Sequence, residues 1–169
     1  LPALLSDPPA QVIELFKGLL SYSVAVAVGL FLMIFVVYPA LMMLVIRRIS
    51  YGKFFRKISP AQFLAFSTSS SAATLPVTME CVRDNLGVSQ NVTNFVLPIG
   101  ATVNIDGTSL YQAIAVVFLA HMHMVDLTLG QQLTIVLTAT LASIGSAAVP
   151  SAGLVMMIVV LQSVGLNPA

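Results

Sequence analysis

The sequence predicts an all-α membrane protein, built from spanning helices and two shorter, interrupted helical hairpins. Hydrophobic residues make up 58% of the chain and charged residues only 8%, whereas a soluble domain of this size carries about 25% charged residues. Two apolar stretches are also interrupted by small polar residues and a proline, "SSSAATLP" and "SIGSAAVP". A surface so short of charge would not stay in water, so we expect lipid to be the main solvent.

The first predicted element is one tilted spanning helix. Residues 18–46 form a run of 29 residues without a charge, longer than the roughly 20 needed to cross a bilayer. Pro39 within this run predicts a kink. The next stretch, "RRISYGKFFRK", holds five of the seven basic residues. Nucleic-acid binding could explain such a cluster, but its position beside a spanning segment favours a cytoplasmic loop. We therefore expect residues 1–57 to form this helix and loop, with no nucleic-acid partner.

Two interrupted hairpins are predicted, over residues 58–90 and 126–169. The arms around "SSSAATLP" (Ser69–Pro76) are each about a dozen residues long, which is typical of re-entrant rather than spanning segments. The second hairpin carries "SIGSAAVP" (Ser143–Pro150), and an offset of 74 residues places serine on serine and proline on proline. Paired interrupted segments of this kind indicate a transporter built from inverted repeats.

The polar tips have two interpretations. Backbone that leaves a helix at membrane depth is tolerated only where protein or a watery cavity receives its free N–H and C=O groups. Alternatively, the serines bond back to carbonyls of a continuous, kinked helix. The presence of a second tip of similar character favours hairpins that face an interior cavity.

We expect residues 91–125 to form a spanning helix that is partly unwound around Asp106, in "NIDGT". A carboxylate at the bilayer centre costs at least about 2.5 kcal/mol, so it is normally paired or functional. No Lys or Arg follows Asp84. Asp106 must therefore be protonated, meet a charge from elsewhere or bind a cation. Asn104 and Thr108 add oxygen atoms, and Gly107 permits unusual backbone angles, so Na⁺ or H⁺ is the expected ligand. A structural carboxylate bonded to a neighbouring helix is the alternative.

Catalytic chemistry is not predicted. His121 and His123 flank a loop and lack a nearby third ligand for a metal. A serine hydrolase would need a nucleophile beside a base, and no glycine-flanked serine elbow is present. We expect neither an enzyme nor an organic cofactor.

Three motifs carry a family resemblance: the serine-rich tip with "TLP", then "LPIGATVNIDGT", then "GQQLTIVLTATLASIGSAAVPSAG". From about Leu20 to Pro168 the chain resembles the dicarboxylate/amino acid:cation symporters, which include excitatory amino acid transporters and their prokaryotic relatives. The resemblance implies Na⁺-coupled symport of an acidic amino acid by alternating access. It also implies a multi-pass homotrimer of the plasma or bacterial inner membrane, surrounded by lipid, whose transport region moves like an elevator. The chain would be a fragment of a larger transport domain that lacks its final helix.

The resemblance also assigns site residues. The substrate would be bound by Ser69, Ser70, Ser71, Thr108, Val149 and Gly153. Coupled cations would be bound by Gly100, Thr102, Asn104, Asp106, Ser143, Ile144 and Ser146. The second hairpin would form the outer gate, and bulk at Gly153 would weaken substrate binding more than folding.

One departure from the family pattern affects the coupled ion. Ile105 stands where the family has methionine, so a thioether between cation sites is lost, and H⁺ remains open beside Na⁺. A neutral amino acid or a dicarboxylate remains open as substrate, because the resemblance implies that the final helix, whose side chains select the substrate, is missing from this chain. From a different class, an ion channel could also use polar re-entrant tips.

Overall fold

The computed structural model describes residues 8–45, 49–146 and 151–166. Within these ranges all regular structure is helical, which confirms the predicted all-α class. The α-helices are α1 (Pro8–Leu32), α2 (Tyr38–Val45), α3 (Tyr51–Lys57), α4 (Ser59–Thr68), α5 (Ser71–Glu80), α6 (Gln90–Val103), α7 (Asp106–Met122), α8 (Leu129–Ile144) and α9 (Ala152–Ser163).

A π-helical turn, Met33–Val37, joins α1 to α2 and ends two residues before Pro39, the residue at which the sequence predicts a kink. The Tyr38 N–H donates to the Met33 carbonyl, five residues back. The next bond of this pattern would run from residue 39 to the Ile34 carbonyl, but Pro39 has no N–H to donate. Instead, the hydroxyl of Tyr51, on α3, donates to the Ile34 carbonyl at an O···O distance of 2.6 Å. A proline and a distant tyrosine therefore fix the geometry of the turn.

Helix α1 packs against α7 through two glycines on one face. Gly18 and Gly29 are eleven residues, or about three turns, apart. A Cβ added at Gly29 would lie 3.0 Å from Cδ2 of Leu110, and one at Gly18 would lie 3.3 Å from Cε2 of Phe118. Small residues at these positions let the two helices approach closely, as is common between helices in membranes.

Helices α4 and α5 pack against each other as the first hairpin, and their tip is shorter than predicted. Only Ser69 and Ser70 leave the helices, and the rest of the predicted tip lies in α5, including Pro76. Ser69 ends α4 in the left-handed region at φ 49°. The hydroxyl of Ser70 accepts a bond from the Ala73 N–H at 3.2 Å and caps α5, because serine satisfies an orphan helix donor well.

The core of the described residues lies where α7 meets α8 and α9. Its buried members are Val116, Ile135, Ala139, Ala142, Val160 and Leu161. Thr128 begins α8 with a capping box, accepting from the Gln131 N–H while the Gln131 side chain accepts from the Thr128 N–H. The second helix pair, α8 and α9, is thus anchored to the helix that carries Asp106.

Among the described residues, two helical stretches are long and apolar enough to cross a bilayer, Val12–Val45 and Gln90–Met122. The most apolar window of the first is entirely unburied within the described chain. Phe16, Leu44 and Val45 are 68%, 70% and 78% exposed. Contiguous apolar surface of this extent marks contact with membrane or further protein.

Candidate functional site

Asp106 lies at a break between two helices. Helix α6 ends at Val103 and α7 begins at Asp106, so Asn104 and Ile105 are outside regular structure. The Tyr38 hydroxyl donates to Oδ2 of Asp106 at 2.8 Å. Residues from two apolar stretches therefore meet at one carboxylate.

Asn104 lies against the same carboxylate. When the amide of Asn104 is oriented so that its nitrogen donates to the carboxylate, Nδ2 lies 2.8 Å from Oδ1 and 3.2 Å from Oδ2 of Asp106. Rotating the amide by half a turn places its oxygen there instead. Asn104 can therefore donate to a bare carboxylate, or share a cation with it.

The described partners of Asp106 are neutral. The ion pair found in the described part of the chain joins Arg83 and Asp84, with Nε and Oδ1 2.6 Å apart at an exposed position. The hydrogen bond from Arg83 holds the pKa of Asp84 below its usual range. Asp106 lies near the middle of the apolar stretch Gln90–Met122, and no basic side chain of the described residues forms an ion pair with it. Tyr38 was missed by sequence reasoning, because it lies 68 residues away.

A second group of contacts joins α7 to α9. A Cβ added at Gly153 would overlap the Tyr111 hydroxyl and lie 2.6 Å from Cγ2 of Thr108. Nε2 of Gln112 donates to the Gly153 carbonyl at 2.7 Å. Two of the predicted substrate residues, Thr108 and Gly153, are therefore adjacent, on different helices.

Tyr111 and Gln112 were not predicted as site residues. They lie three and four residues after Thr108, the spacing that places side chains on one helical face. Gln112 is fully buried, and its Oε1 has no hydrogen-bond partner among the described atoms. A glutamine within an apolar spanning stretch was the signal that could have identified this face.

A cleft of about 420 Å³ separates the first hairpin from α6. Its lining includes three predicted site residues, Ser71, Gly100 and Asn104. The Gly100 carbonyl accepts the Asn104 N–H at 2.9 Å. The cleft therefore connects the serine tip with the helix break at Asp106.

The remaining predicted residues have local partners. Oγ1 of Thr102 donates to the Ile99 carbonyl at 3.0 Å, on the exposed side of α6. Ser143 donates to the Thr140 carbonyl at 2.8 Å and Ser146 to the Ser143 carbonyl at 2.9 Å. Ile144 is 42% exposed at the end of α8, and Val149 lies outside the described residues. Their assignment as site residues stays a prediction.

A larger cavity, of about 650 Å³, lies between the π-helical turn with α2 and the helices α3–α4, and Tyr38 is part of its lining. Apart from Tyr38 and Gln62, its lining is apolar. Such a surface offers few partners to a charged amino acid, since buried charges need pairing and hydrogen bonds. It is not the candidate substrate site.

The described residues contain no cluster of three or more His, Cys, Asp or Glu side chains suited to a metal ion. The Asp106 region instead offers carboxylate, amide, hydroxyl and backbone oxygens. Such a donor set suits hard cations rather than transition metals.

An apolar helical chain with a carboxylate at a helix break has the features typical of integral membrane transport proteins. The profile of the sodium:dicarboxylate symporter family matches residues 9–169, and the chain belongs to this family. Excitatory amino acid transporter 1 of Rattus norvegicus is 50% identical over 145 residues, which cover 86% of this chain and 26% of the rat protein.

Two other relatives give a similar result. Excitatory amino acid transporter 2 of Mus musculus is 50% identical over 145 residues, covering 86% of this chain and 25% of the mouse protein. An excitatory amino acid transporter of Caenorhabditis elegans is 49% identical over 150 residues, covering 89% of this chain and 30% of the nematode protein. The chain thus spans about a quarter of the length of these relatives. They are transporters rather than enzymes, and the prediction of an integral membrane protein is confirmed.

Proposed function

We propose that the protein is a secondary active symporter, which moves an acidic amino acid, glutamate or aspartate, with Na⁺ across a membrane by alternating access. One observation carries the proposal: the Asp106 carboxylate lies at a helix break within an apolar stretch, and its described partners, Tyr38 and Asn104, are neutral. The family's description as sodium:dicarboxylate symporters and the relatives' names support the ion and the substrate class.

The cation is proposed to bind beside Asp106. An unneutralised carboxylate at this depth is costly, and a bound Na⁺ removes that cost. The oxygen of Asn104 and backbone carbonyls near the break, including that of Gly100, supply further ligands. Thr102, Ser143, Ile144 and Ser146 are proposed for additional cations, as the family resemblance implies.

The substrate is proposed to bind near Thr108, between the tips of the two helix pairs. Ser69, Ser70 and Ser71 lie at the start of α5, where the positive end of the helix dipole favours a carboxylate. Gly153 lies against Thr108 on the other side. Val149 is proposed to cover the substrate together with Gly153.

The second helix pair, α8–α9, is proposed as a re-entrant outer gate, and α4–α5 as its inner counterpart. Closure of α8–α9 over Thr108 couples ion and substrate, because each stabilises the closed state. Na⁺ then raises substrate affinity, and substrate raises Na⁺ affinity by the same factor. The exposed apolar face of α1 fits lipid and further protein, including the scaffold of a homotrimer in which this region moves as an elevator.

Uptake by the full-length protein in proteoliposomes tests the proposal. We expect labelled glutamate or aspartate to accumulate only under an inward Na⁺ gradient. Asp106→Asn should abolish coupled uptake without preventing membrane insertion. Asp126→Asn is the matched control, because this carboxylate is exposed in the loop after α7.

Three results would contradict the proposal. Wild-type uptake and ion dependence in Asp106→Asn would reject the cation site. Substrate affinity that responds to pH but not to Na⁺ would show proton coupling. Flux that neither saturates nor distinguishes stereoisomers would show a channel.

A further inference from the structure

Tyr38 reaches Asp106 because of the π-helical turn before it. A π-helical turn contains an additional residue relative to an α-helical one, so it rotates the following residues by about 100° relative to a continuous α-helix. Tyr38 is the first residue after Met33–Val37, and its hydroxyl lies 2.8 Å from Oδ2 of Asp106. A continuous α-helix would direct this side chain elsewhere.

Two further contacts hold Tyr38 in place. The Tyr51 hydroxyl bonds to the Ile34 carbonyl within the turn, at 2.6 Å. Gly29 sets the distance between α1 and α7, since its absent Cβ would lie 3.0 Å from Leu110, one helical turn beyond Asp106. The π-helical turn and the close approach of α1 to α7 therefore together determine the position of the Tyr38 phenol.

The two neutral partners of Asp106, Asn104 and Tyr38, would respond differently to a cation bound at the carboxylate. Asn104 donates to the carboxylate through Nδ2, but must rotate its amide to offer an oxygen to an ion. A tyrosine hydroxyl bonded to Oδ2 has no such conflict, provided that the ion binds on the Oδ1 side. Tyr38 is thus the donor that can remain in both states.

We propose that Tyr38 is a positioning residue of the cation site, which holds Oδ2 of Asp106 and directs Oδ1 toward the ion when the amide of Asn104 rotates. This role rests on the proposed function, since it requires a cation at Asp106. Without the hydroxyl the carboxylate rotates freely before binding, and the ion must order it at a cost in affinity. The cost of ordering one freely rotating side chain on binding corresponds to a loss of up to about tenfold in affinity.

Na⁺ binding to the purified full-length protein tests this role. Affinity is measured by calorimetry and by the Na⁺-dependent rise in melting temperature. We expect Tyr38→Phe to weaken Na⁺ binding by up to about tenfold and to lower the preference for Na⁺ over Li⁺, because a mobile carboxylate adapts to the smaller ion. Tyr22→Phe is the matched control, since Tyr22 lies in the same apolar stretch, Val12–Val45, but packs against Phe118, with ring centroids 5.5 Å apart.

The outcomes separate the two proposals. Unchanged or tighter Na⁺ binding in Tyr38→Phe overturns the role of Tyr38. A wild-type protein that shows no response to Na⁺ overturns the cation site itself. If Tyr38→Phe does not fold, Tyr51→Phe keeps the phenol of Tyr38 and loosens only the π-helical turn. In that variant weaker Na⁺ binding supports the role of Tyr38, and unchanged binding contradicts it.

Discussion

Gln112 and Gly153 join α7 to the second helix pair through a hydrogen bond of 2.7 Å. The bond runs from a fully buried side chain to the backbone of the first turn of α9. It ties the helix that carries Asp106 to the helix pair proposed as the outer gate.

Gln112→Leu should loosen this connection. The substitution removes the side-chain donor to the Gly153 carbonyl, and a hydrogen bond of this kind contributes about 0.5–1.5 kcal/mol. We expect a lower melting temperature and faster labelling of a cysteine introduced at Ser151, in a Cys81→Ser background. Gln132→Leu on α8 is the control, because its amide bonds only to the nearby Leu127 carbonyl, at 3.3 Å. Equal labelling in wild type and Gln112→Leu would show that the bond does not hold the helix pair.

Gly153→Ala should strain the contact between α7 and α9. The new Cβ would overlap the Tyr111 hydroxyl and press on Thr108, and overpacking of this kind costs about 1–3 kcal/mol. We expect a lower melting temperature, with partial recovery in the Gly153→Ala/Tyr111→Phe double variant. Gly52→Ala is the control, because nothing lies within 4 Å of its added Cβ. Full additivity of the two substitutions would contradict the contact.

This packing changes the prediction made for Gly153 from sequence alone. Small residues at the second tip indicated that a ligand approaches the backbone there, and that bulk would weaken substrate binding more than folding. In the structure the space above Gly153 is occupied by Tyr111 and Thr108 of the protein itself. Substitutions at Gly153 therefore act on the packing of α9 as well as on a substrate.

Tyr51→Phe should destabilise the π-helical turn. The part-buried Ile34 carbonyl loses its donor inside an apolar segment, and leaving such a group unpaired away from water costs about 1–3 kcal/mol. We expect a fall in melting temperature that Phe55→Tyr, on the same short helix, does not produce. A melting temperature equal to that of wild type would mean that water or another group replaces the tyrosine.

The short basic helix α3 and the loop after α7 should lie on opposite sides of the membrane. Helices α6 and α7 together run about 33 residues, or about 50 Å, which exceeds the roughly 30 Å of a bilayer core. In a Cys81→Ser background, an impermeant thiol reagent added outside should modify a cysteine at Asp126 and spare one at Lys53. The reverse pattern would invert the topology, and modification of both would exclude a single crossing between them.

The sequence predicted those features that depend on local composition. Charge-free runs indicated the stretch of α1 and the approximate positions of the two helix pairs. The extent of the first tip was misjudged, because a proline and three serines were taken to break a helix that in fact begins at Ser71. Pro76 is accommodated inside α5, so local propensity was overridden by packing.

The contacts around Asp106 could not be read from local patterns. Tyr38 and Asp106 are separated by 68 residues, and Tyr51 and Ile34 by 17. Neither pair has a fixed spacing that would predict it. Both depend on how α1 turns at Met33–Val37 and how closely it approaches α7, which only the folded chain determines.

The π-helical turn also makes chain length a sensitive variable in this part of the protein. Deleting one residue from Met33–Val37 would restore a regular α-helical repeat, which lipid and the neighbouring helices could accept. The same deletion would turn Tyr38 away from Asp106 by about 100°. A single deletion here can therefore separate the ability to insert and fold from the ability to bind an ion, a distinction that point substitutions in a packed core rarely provide.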